Sequence, residues 1–377
     1  MAATRPQRAP ITSPAAATVF STVLTQGPVS RVEVGRRTGL SSAAVTKAAR
    51  PFIEAGYLEE LASEERSGPG AGRPANPLAI RADREFFVGV KITDDDLIGV
   101  VCDLRAQVRA TRHRALASTS VPDVVAALAE LVAELITPYR DRAYCLGVAV
   151  SGDVDQVSGV VRYSPFLRWR DVPLGELLAE ATGLAVRLEN DVKALTVAEQ
   201  WFGEGVGVGS FALVTVGTGI GCGLVIGGRL VAGARGVAGE IGHVPVGGDE
   251  PCHCGGTGCV EAVASTGAIV ARAGMPMAEA VARARAGDVA VRAVFAEAGH
   301  AIGLALAAMA NLIGPERIVV SGEGVAAYDL FEEHVRAAFA AQAFGPVADC
   351  LVILRPLPFE EWARGAAAVS IQALFHH

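Results

Sequence analysis

The most informative stretch of this sequence reads EIGH at residues 240–243 and CHCGGTGCVE at residues 252–261. It places one histidine and three cysteines at the spacing H-x8-C-x-C-x4-C. Such a set fits tetrahedral Zn²⁺, and because no position is left open for water, the metal would be structural rather than hydrolytic. The predicted ligands are His243, Cys252, Cys254 and Cys259. The alternative is a chance cluster of buried thiols, and we expect His253, between two ligands, to face solvent.

The cysteine count and the apolar runs indicate the cellular environment. Seven cysteines are present, an odd number, and three of them lie within eight residues. That pattern does not suit a disulfide framework but does suit a metal site in a reducing compartment. The apolar stretch at residues 294–314 is interrupted by Glu297, His300 and Asn311, and the N-terminus has no apolar signal core. We therefore expect a cytoplasmic protein without a membrane span.

Charge is unevenly distributed along the chain. The 377 residues carry a net charge of −7. Residues 1–81 contain ten Lys and Arg against six Asp and Glu, so this segment carries +4 and the remainder −11. A basic segment ahead of an acidic body indicates that nucleic acid is bound at one end only. A chain of this length is expected to form about two or three domains.

Residues 15–81 show the pattern of a winged helix-turn-helix, after a flexible N-terminus at residues 1–14. Three short segments have the helical spacing of apolar residues, and Thr38-Gly39-Leu40 forms a tight turn before the third. A strand after Gly56 and a returning strand at residues 77–80 would form the wing. The alternative is a small three-helix packing domain whose surface is basic.

The third helix, which Ser41 or Ser42 would cap, is the expected recognition helix. Its outer side carries short hydroxyls and long cations, which suit base edges and phosphates. The predicted DNA contacts on this helix are Ser42, Thr46, Lys47 and Arg50. Pro51 lacks a backbone N–H and is expected to kink or end the helix. Arg73, in an extended Gly/Pro segment, would enter the minor groove or belong to a flexible linker.

The body, residues 86–377, alternates apolar strands with helices. The earlier elements are three strands within residues 86–116, a helix at 121–137 and a strand at 145–150. The later elements are strands at 211–216, 221–226, 229–232 and 318–321 and helices at 261–273, 289–312 and 328–341. Two similar halves with hairpins and crossover helices predict an α/β fold of two lobes with a cleft between them.

On these residues the chain resembles the ROK family, named for repressors, open reading frames and kinases. The block ExGH…CxCGxxGCxE is specific to the family, and further matches lie at residues 186–191, 215–221 and 318–324. The resemblance, from about residue 15 to 377, implies a two-lobed actin/hexokinase-like ATPase fold with a zinc-binding loop. Family members with an N-terminal winged helix are sugar-responsive transcription regulators, and those without it are mostly sugar kinases.

The resemblance also implies domain limits and a sugar site. The effector domain would consist of two lobes, approximately residues 86–189 with the C-terminal end, and residues 190–359. The implied sugar-binding residues are Asn190, Asp191, Glu240, His243 and Glu261. Amide and carboxylate groups suit the vicinal hydroxyls of a sugar, and Asp191 also matches the general base of the kinases. In isolation, Asn190-Asp191 could equally cap the helix that follows.

Departures from the family's pattern separate regulator from kinase. The first phosphate loop of the kinases reads D-x-G-G-T, whereas the aligned residues 91–96 read KITDDD here. Without the glycines the backbone cannot wrap closely around a phosphate, and three successive Asp repel a polyanion. The second phosphate turn, Gly217-Thr218-Gly219, is intact. On the sugar side, Phe166 replaces a hydrogen-bonding Asn or His of the family.

Together these patterns predict a sequence-specific transcription regulator, a repressor of carbohydrate uptake or catabolism genes without kinase activity. It would bind a pseudo-palindromic operator in double-stranded DNA as a homodimer or homotetramer, with a sugar or sugar derivative as effector. Two alternatives stay open. One is an active ATP-dependent sugar kinase that retains a DNA-binding head, and the other is a regulator controlled by a partner protein.

Overall fold

The computed structural model describes residues 9–62 and 76–375, which fall into two compact units. The first unit combines the described residues up to Val206 with those from Glu360 onward, and the second is Gly207–Phe359. The second unit therefore begins at Gly207 rather than near residue 190, where the sequence placed the lobe boundary. The reason is that the intervening residues form a helix that packs within the first unit.

Three helices and a pair of strands open the first unit. They are α1 Pro14–Gln26, α2 Arg31–Thr38, α3 Ser42–Glu54, β1 Leu58–Glu60 and β2 Leu78–Ile80. Ser30 and Ser41 cap α2 and α3, because their hydroxyls accept hydrogen bonds from backbone N–H groups in the first turn. β1 and β2 pair antiparallel. The predicted order of helices and wing strands is thus observed, while Arg73 and the rest of the predicted wing loop lie outside the described residues.

Of the kink or helix end expected at Pro51, the helix end does not occur. The helix continues through Pro51 to Glu54. Its last turn buries Phe52, whose ring stacks on Phe20 of α1 with the centroids 4.5 Å apart. Burying and stacking a phenylalanine stabilises by about 2–4 kcal/mol, which offsets a cost of about 3 kcal/mol for a proline inside a helix.

The body of the first unit contains a five-stranded sheet and a three-stranded sheet. Its elements are β3 Phe86–Ile92, β4 Asp96–Asp103, β5 Val108–Ala115, α4 Val121–Ile136, β6 Ala143–Val150, β7 Asp153–Asp155, β8 Val160–Ser164, β9 Trp169–Val172, α5 Leu174–Thr182, β10 Ala185–Asn190 and α6 Asp191–Phe202. The larger sheet has the order β10-β6-β3-β4-β5. Because β10, β6 and β3 are parallel, their carboxyl ends meet at one edge of the sheet.

The second unit is a five-stranded sheet with helices. Its elements are β11 Phe211–Val216, β12 Ile220–Ile226, β13 Arg229–Leu230, α7 Val260–Ala264, α8 Thr266–Ala273, α9 Met277–Arg285, α10 Val289–Ile313, β14 Arg317–Ser321, α11 Glu332–Gln342 and β15 Leu351–Leu354. The strand order is β13-β12-β11-β14-β15. Two predicted helices need correction. Ser265 caps α8 and so divides the helix expected at 261–273, and a 3-10 segment at Glu323–Leu330 delays the start of α11.

The long helix α10 forms the centre of the second unit. By length and composition it could cross a membrane, but 61% of its most apolar 18-residue window is buried inside the fold. Its inner side packs Phe295, Ile302 and Leu306 into the same hydrophobic cluster as the sheet residues Val214 and Val320. Core packing therefore accounts for the apolar composition of α10.

After the second unit, the chain returns to the first with α12, Glu360–Gln372. The helix lies directly on the sheet, where Gly89 of β3 and Gly147 of β6 face it. A Cβ atom at either glycine would collide with the backbone carbonyl of Ala363 or Ala366. The two glycines therefore allow backbone-to-backbone contact and fix α12 closely against the sheet.

The helical head and the body of the first unit share one hydrophobic core. Phe20 lies at its centre and stacks on Phe52 of α3 and on Phe375, which follows α12. Phe375 in turn packs against Trp201, near the end of α6, with the ring centroids 5.0 Å apart. We refer to Phe52, Phe20, Phe375 and Trp201 as the aromatic row. The row runs without interruption from the third helix of the head to α6.

Polar contacts complete the attachment of the head. Tyr57, which precedes β1, donates a hydrogen bond to the buried carboxylate of Glu85 at 2.8 Å. Burial and the nearby Glu85 charge raise the pKa of Tyr57 well above its usual range, so the phenol remains a donor. Arg105 donates to the carbonyl oxygen of Gly27 at 2.8 Å. The head is therefore held against the body by both apolar and directional contacts.

Candidate metal, effector and DNA-binding sites

The outer side of α3 presents the predicted DNA-contacting residues to solvent. Those on α3 are Ser42, Thr46, Lys47 and Arg50, all exposed. The inner side of the helix is buried through Val45, Ala49 and Phe52. The Arg50 side chain is 78% exposed and pairs with Glu54 at 2.7 Å. A phosphate would therefore have to compete with Glu54 for the Arg50 guanidinium. Arg73 lies outside the described residues.

The sequence reasoning missed a second basic group on the head. Arg36 and Arg37, in the last turn of α2, both donate to the carboxylate of Glu33, at distances of 2.6–2.8 Å. These three hydrogen bonds lower the pKa of Glu33 to about 2. The Arg36 side chain is still 72% exposed. Because the first helix of a helix-turn-helix crosses the DNA backbone, Arg36 is a further candidate for phosphate contact. The sequence feature that could have revealed this group is the pair of adjacent arginines at the end of the second helix.

The predicted metal ligands come together in the second unit. His243 ends a short 3-10 turn after β12, and the loop to α7 is folded back by bridges between Pro245 and Cys259 and between Pro251 and Thr257. The ligand atoms of His243, Cys252, Cys254 and Cys259 all lie within 4.8 Å of one another. The separation is 3.6 Å from His243 Nδ1 to Cys252 Sγ and 3.7 Å from Cys254 Sγ to Cys259 Sγ.

These separations are those of a tetrahedral metal site. With Zn–S bonds of about 2.3 Å and Zn–N bonds of about 2.0–2.1 Å, tetrahedral angles give S···S of about 3.8 Å and S···N of about 3.5–3.6 Å. A backbone N–H from Gly256 and the neighbouring Cys252 lower the pKa of Cys254, which favours the thiolate that binds metal. The cluster could therefore hold a metal ion, and its thiolate-rich donor set fits zinc.

Glu261, in the first turn of α7, is held on both carboxylate oxygens. One oxygen accepts a hydrogen bond from the backbone N–H of Ile220 at 2.8 Å, and the other lies 2.5 Å from Nε2 of His253. The His253 side chain is 57% exposed, as expected, but its ring tip is bound to Glu261. His253 also packs edge-on against His243, with the centroids 5.1 Å apart. Glu240 is exposed immediately before the 3-10 turn.

Asn190 and Asp191 lie at the carboxyl edge of the first unit's sheet, where β10 passes into α6. Asn190 caps α6, because its Oδ1 accepts a hydrogen bond from the N–H of Lys193 at 3.1 Å. Its amide nitrogen donates to the carbonyl oxygen of Gly152 at 3.0 Å. The helix cap that the sequence left as an alternative is therefore present.

Asp191 is buried and paired with a cation. Lys91, at the end of β3, forms an ion pair with Asp191 Oδ2 and donates to Ser151 Oγ at 2.9 Å. Ser151 donates to the same carboxylate oxygen at 2.5 Å, and the other oxygen accepts from the N–H of Val192. Burial alone would raise the pKa of Asp191, but the charge and hydrogen bond of Lys91 outweigh it and the pKa is lowered.

The first phosphate loop has become a tight β3–β4 turn. Thr93 closes it, since its hydroxyl accepts from the N–H of Asp96 at 2.8 Å and its own N–H donates to the Asp96 carbonyl at 2.9 Å. The Thr93 hydroxyl also donates to the Asp95 carboxylate at 2.8 Å, so Thr93 holds the turn through several hydrogen bonds. Phe166, at the position of a family hydrogen-bonding residue, is 45% exposed.

Comparison with known proteins adds three findings. A model of the ROK family matches residues 87–373. The chain is 28% identical over 381 residues to the DNA-binding transcriptional dual regulator NagC of Escherichia coli (strain K12), covering 96% of this chain and 93% of NagC. It superimposes on the solved structure of a ROK family transcriptional regulator, a homologue of the E. coli MLC protein, with a TM-score of 0.80, 28% identity and 96% coverage of both chains.

A kinase shares the fold as well. The ROK family glucokinase from Streptomyces griseus, solved with glucose and AMPPNP, superimposes with a TM-score of 0.66 and 27% identity. The alignment covers 98% of the glucokinase and 75% of this chain. The fold is therefore the hexokinase-like ROK fold, preceded here by an N-terminal helical region. Because the family model spans well over half of its residues, the chain belongs to the ROK family.

Proposed function

We propose that this protein is a sequence-specific transcription regulator, a repressor of carbohydrate uptake or catabolism genes, that binds an operator in double-stranded DNA. The observation that carries the proposal is the exposed face of α3 on a basic head packed against a ROK body. Relatives aligned over nearly the whole chain are named as a DNA-binding transcriptional regulator and as repressors. A homodimer or homotetramer would match the two-fold symmetry of a pseudo-palindromic site. Such a regulator works in the cytoplasm.

The same proposal excludes sugar phosphorylation. A general base must have a free carboxylate near the proton that it removes. Here the Lys91 ammonium neutralises Asp191, and Ser151 occupies the same carboxylate oxygen. The Thr93 turn replaces the flexible glycines that would wrap around a phosphate. Asp191 therefore serves as a buried structural anion and a sugar ligand, not as a catalyst.

A sugar or sugar derivative is the proposed effector, bound by Asn190, Asp191, Glu240, His243 and Glu261. Glu261 supports this role because its carboxylate is held rigid by Ile220 and His253. A structural zinc on His243, Cys252, Cys254 and Cys259 would fix the ring orientation of His243. Zinc bound at these residues would make the loop rigid and would not take part in a reaction.

Transmission of the effector signal to DNA has a physical route within the first unit. α6 begins at Asp191, in the proposed effector site, and reaches the aromatic row at Trp201. The row ends at Phe52 on α3, the proposed recognition helix. An effector that binds one position of α6 better than another shifts the population of head positions accordingly.

The proposal is tested by selecting genomic fragments of the source organism with the purified protein at about 150 mM salt. Enrichment of a pseudo-palindromic site beside transporter or glycosidase genes is the expected result, and those genes identify candidate sugars. Recovery of only salt-sensitive, non-specific DNA would contradict it. An ATP turnover assay with a panel of hexoses and N-acetylhexosamines tests the kinase alternative, which predicts turnover that Asp191→Asn abolishes.

A further inference from the structure

The second unit contains a pocket built from residues other than those proposed for zinc, sugar or DNA. Its volume is about 420 Å³, which lies in the range of small-molecule sites. The loop at residues 246–250 and the helices α7, α10 and α11 form its walls. The apolar part of the lining consists of Val246, Val263, Ala296 and Ala301.

Close packing of α10 on α11 forms one side of the pocket. A Cβ atom at Gly299 of α10 would lie 2.6 Å from the carbonyl oxygen of Phe331 and 3.0 Å from the Cβ of His334. Glycine at this position therefore lets the two helices approach closely. His300 of α10 and His334 of α11 are exposed and line the pocket. This side thus offers two imidazoles, which can form hydrogen bonds with a ligand.

Two backbone hydrogen bonds hold the loop at residues 246–250 in place. The N–H of Val246 donates to the carbonyl oxygen of Gly258 at 2.8 Å, and the N–H of Gly258 donates to the carbonyl oxygen of Glu250 at 2.9 Å. Gly248 has a φ of 88°, and a Cβ atom there would lie 2.3 Å from Glu250 Oε2. Glycine is therefore required at this position, and the loop presents the Glu250 carboxylate on a fixed backbone.

The Glu250 carboxylate is the group that indicates a ligand. Its Oε2 is almost inaccessible to solvent and accepts no hydrogen bond from the described residues. Glu297, which also lines the pocket, differs because it is paired with Arg272 of α8. A buried carboxylate oxygen without a donor is unfavourable, so a ligand that supplies a charged donor to Glu250 binds favourably.

We propose that this pocket binds a small organic cation, an ammonium group on a compact apolar body. The ammonium donates a charge-assisted hydrogen bond to Glu250, and the apolar body packs against the valine and alanine side chains of the lining. Within the described residues, the groups close enough to hold a metal ion are centred on His243 and do not include the side chains of this pocket. This favours an organic cation over a metal ion. The inference goes beyond the proposed function, because it involves neither DNA nor the sugar effector.

The experiment compares three probes that share one ring, namely cyclohexylammonium, cyclohexanol and cyclohexanecarboxylate. Thermal unfolding of the whole protein is measured near pH 7 in up to about 20 mM of each probe, with ionic strength held constant by NaCl. Cyclohexylammonium should raise Tm saturably, and isothermal titration should show that it binds at least about tenfold more tightly than cyclohexanol. Cyclohexanecarboxylate should have no effect. Equal effects of the ammonium and the neutral alcohol would overturn the proposal.

Glu250→Gln tests the carboxylate. The amide has the same shape without the charge, so the variant should fold normally and bind cyclohexylammonium at least about tenfold more weakly. Glu279→Gln is the matched control, because Glu279 lies on α9, is paired with Arg283 and is not part of the pocket lining. It removes the same charge from the second unit and should bind the probe like the unsubstituted protein. An equal loss in both variants would show a general charge effect and would contradict the assignment.

Ala296→Leu tests the pocket itself while every charge is kept. The larger side chain occupies part of the space that the ring of the probe needs, so the response to cyclohexylammonium should be lost. A cooperative unfolding transition without probe confirms that the variant is folded. If folded Ala296→Leu and Glu250→Gln both respond to cyclohexylammonium like the unsubstituted protein, the pocket does not bind the cation and the proposal is wrong.

Discussion

The pair of Lys91 and Asp191 shows how one substitution changes the character of a site. A buried carboxylate is strongly destabilising unless a partner compensates its charge, and Lys91 supplies that partner at the end of β3. Its ammonium also lies 5.6 Å from the centroid of the Trp362 ring, which contributes a cation–π contact. The ROK kinases are expected to have an aspartate at this position. Compared with that expected pattern, Lys91 gives Asp191 a partner of opposite charge.

Lys91→Met is therefore expected to destabilise the protein by about 3–5 kcal/mol near pH 7, because it leaves Asp191 buried without its partner. In the unsubstituted protein, the lowered pKa of Asp191 contributes stability above its ordinary value of 3.8, and that stability is lost as the pH falls through the lowered pKa. In the variant, burial raises the pKa instead, so the deficit should shrink between about pH 7 and pH 5. Urea unfolding at the two pH values measures this difference.

Lys91→Met/Asp191→Leu serves as the control for the ion pair. With both charges removed, most of the lost stability should return, because no uncompensated charge remains. A double variant as unstable as Lys91→Met would show that Lys91 acts through packing alone.

The metal cluster leads to a separate prediction at single residues. Cys254→Ser should lower bound zinc from about one ion per chain to well below half, because serine is a poor zinc ligand. Cys350→Ser, which changes a cysteine outside the cluster, should leave the zinc content unchanged. Metal analysis of the purified variants measures both. A protein without zinc that is as heat-stable as the zinc-bound one would contradict a structural role.

At the scale of elements, the helical periodicity of α3 gives it one buried side and one exposed side. One side packs Val45, Ala49 and Phe52, and the other carries polar residues that are exposed within the described part of the chain. Substitutions on the exposed side can therefore change DNA binding without changing stability. The Arg50–Glu54 pair on this face adds little stability because both side chains are largely exposed.

Lys47→Ala should weaken DNA binding on all sequences and reduce the slope of log K against log salt by about 1, if Lys47 contacts a phosphate. Arg336→Ala is the control, since Arg336 is similarly exposed but lies on α11 of the second unit. Fluorescence anisotropy with operator DNA at several salt concentrations provides the slopes. If the slope is unchanged in Lys47→Ala, Lys47 does not contact a phosphate.

Local elements were predictable from the sequence, and contacts between distant segments were not. The cap of α3 was expected to be Ser41 or Ser42, and it is Ser41. The spacing of His243 and the three cysteines was sufficient to identify the cluster. Lys91 and Asp191, however, are 100 residues apart, and only the parallel pairing of β3, β6 and β10 brings them together. The helix end that was one of the two outcomes expected at Pro51 does not occur, because tertiary packing of Phe52 outweighs local helix propensity.

At the scale of the whole molecule, the aromatic row joins the head to the rest of the first unit. Phe375 lies between Phe20 of α1 and Trp201 of α6, so it contacts both the head and the helix that begins at Asp191. Loss of this ring would leave a cavity beside Phe20, which the head could fill only by shifting. The orientation of α3 therefore depends on a residue far from the DNA face.

Phe375→Ala should destabilise the protein by up to about 3 kcal/mol and weaken operator binding, although it changes no residue on the DNA face. Phe344→Ala provides the matched control, because Phe344 is 79% exposed on the second unit and should affect neither property. Thermal unfolding and anisotropy measure the two effects. If Phe375→Ala is clearly destabilised but binds the operator with normal affinity, the aromatic row does not influence DNA binding.

The return of α12 to the first unit also has a consequence for synthesis on the ribosome. The ring that covers Phe20, Phe375, is made more than three hundred residues after it. The first unit cannot complete its core until the second has been made, so its folding depends on contacts of very long sequence separation. Chains that stop before α12 keep the α3 sequence but lack the packing that orients it. We therefore expect operator binding only from chains that have been translated through residue 375.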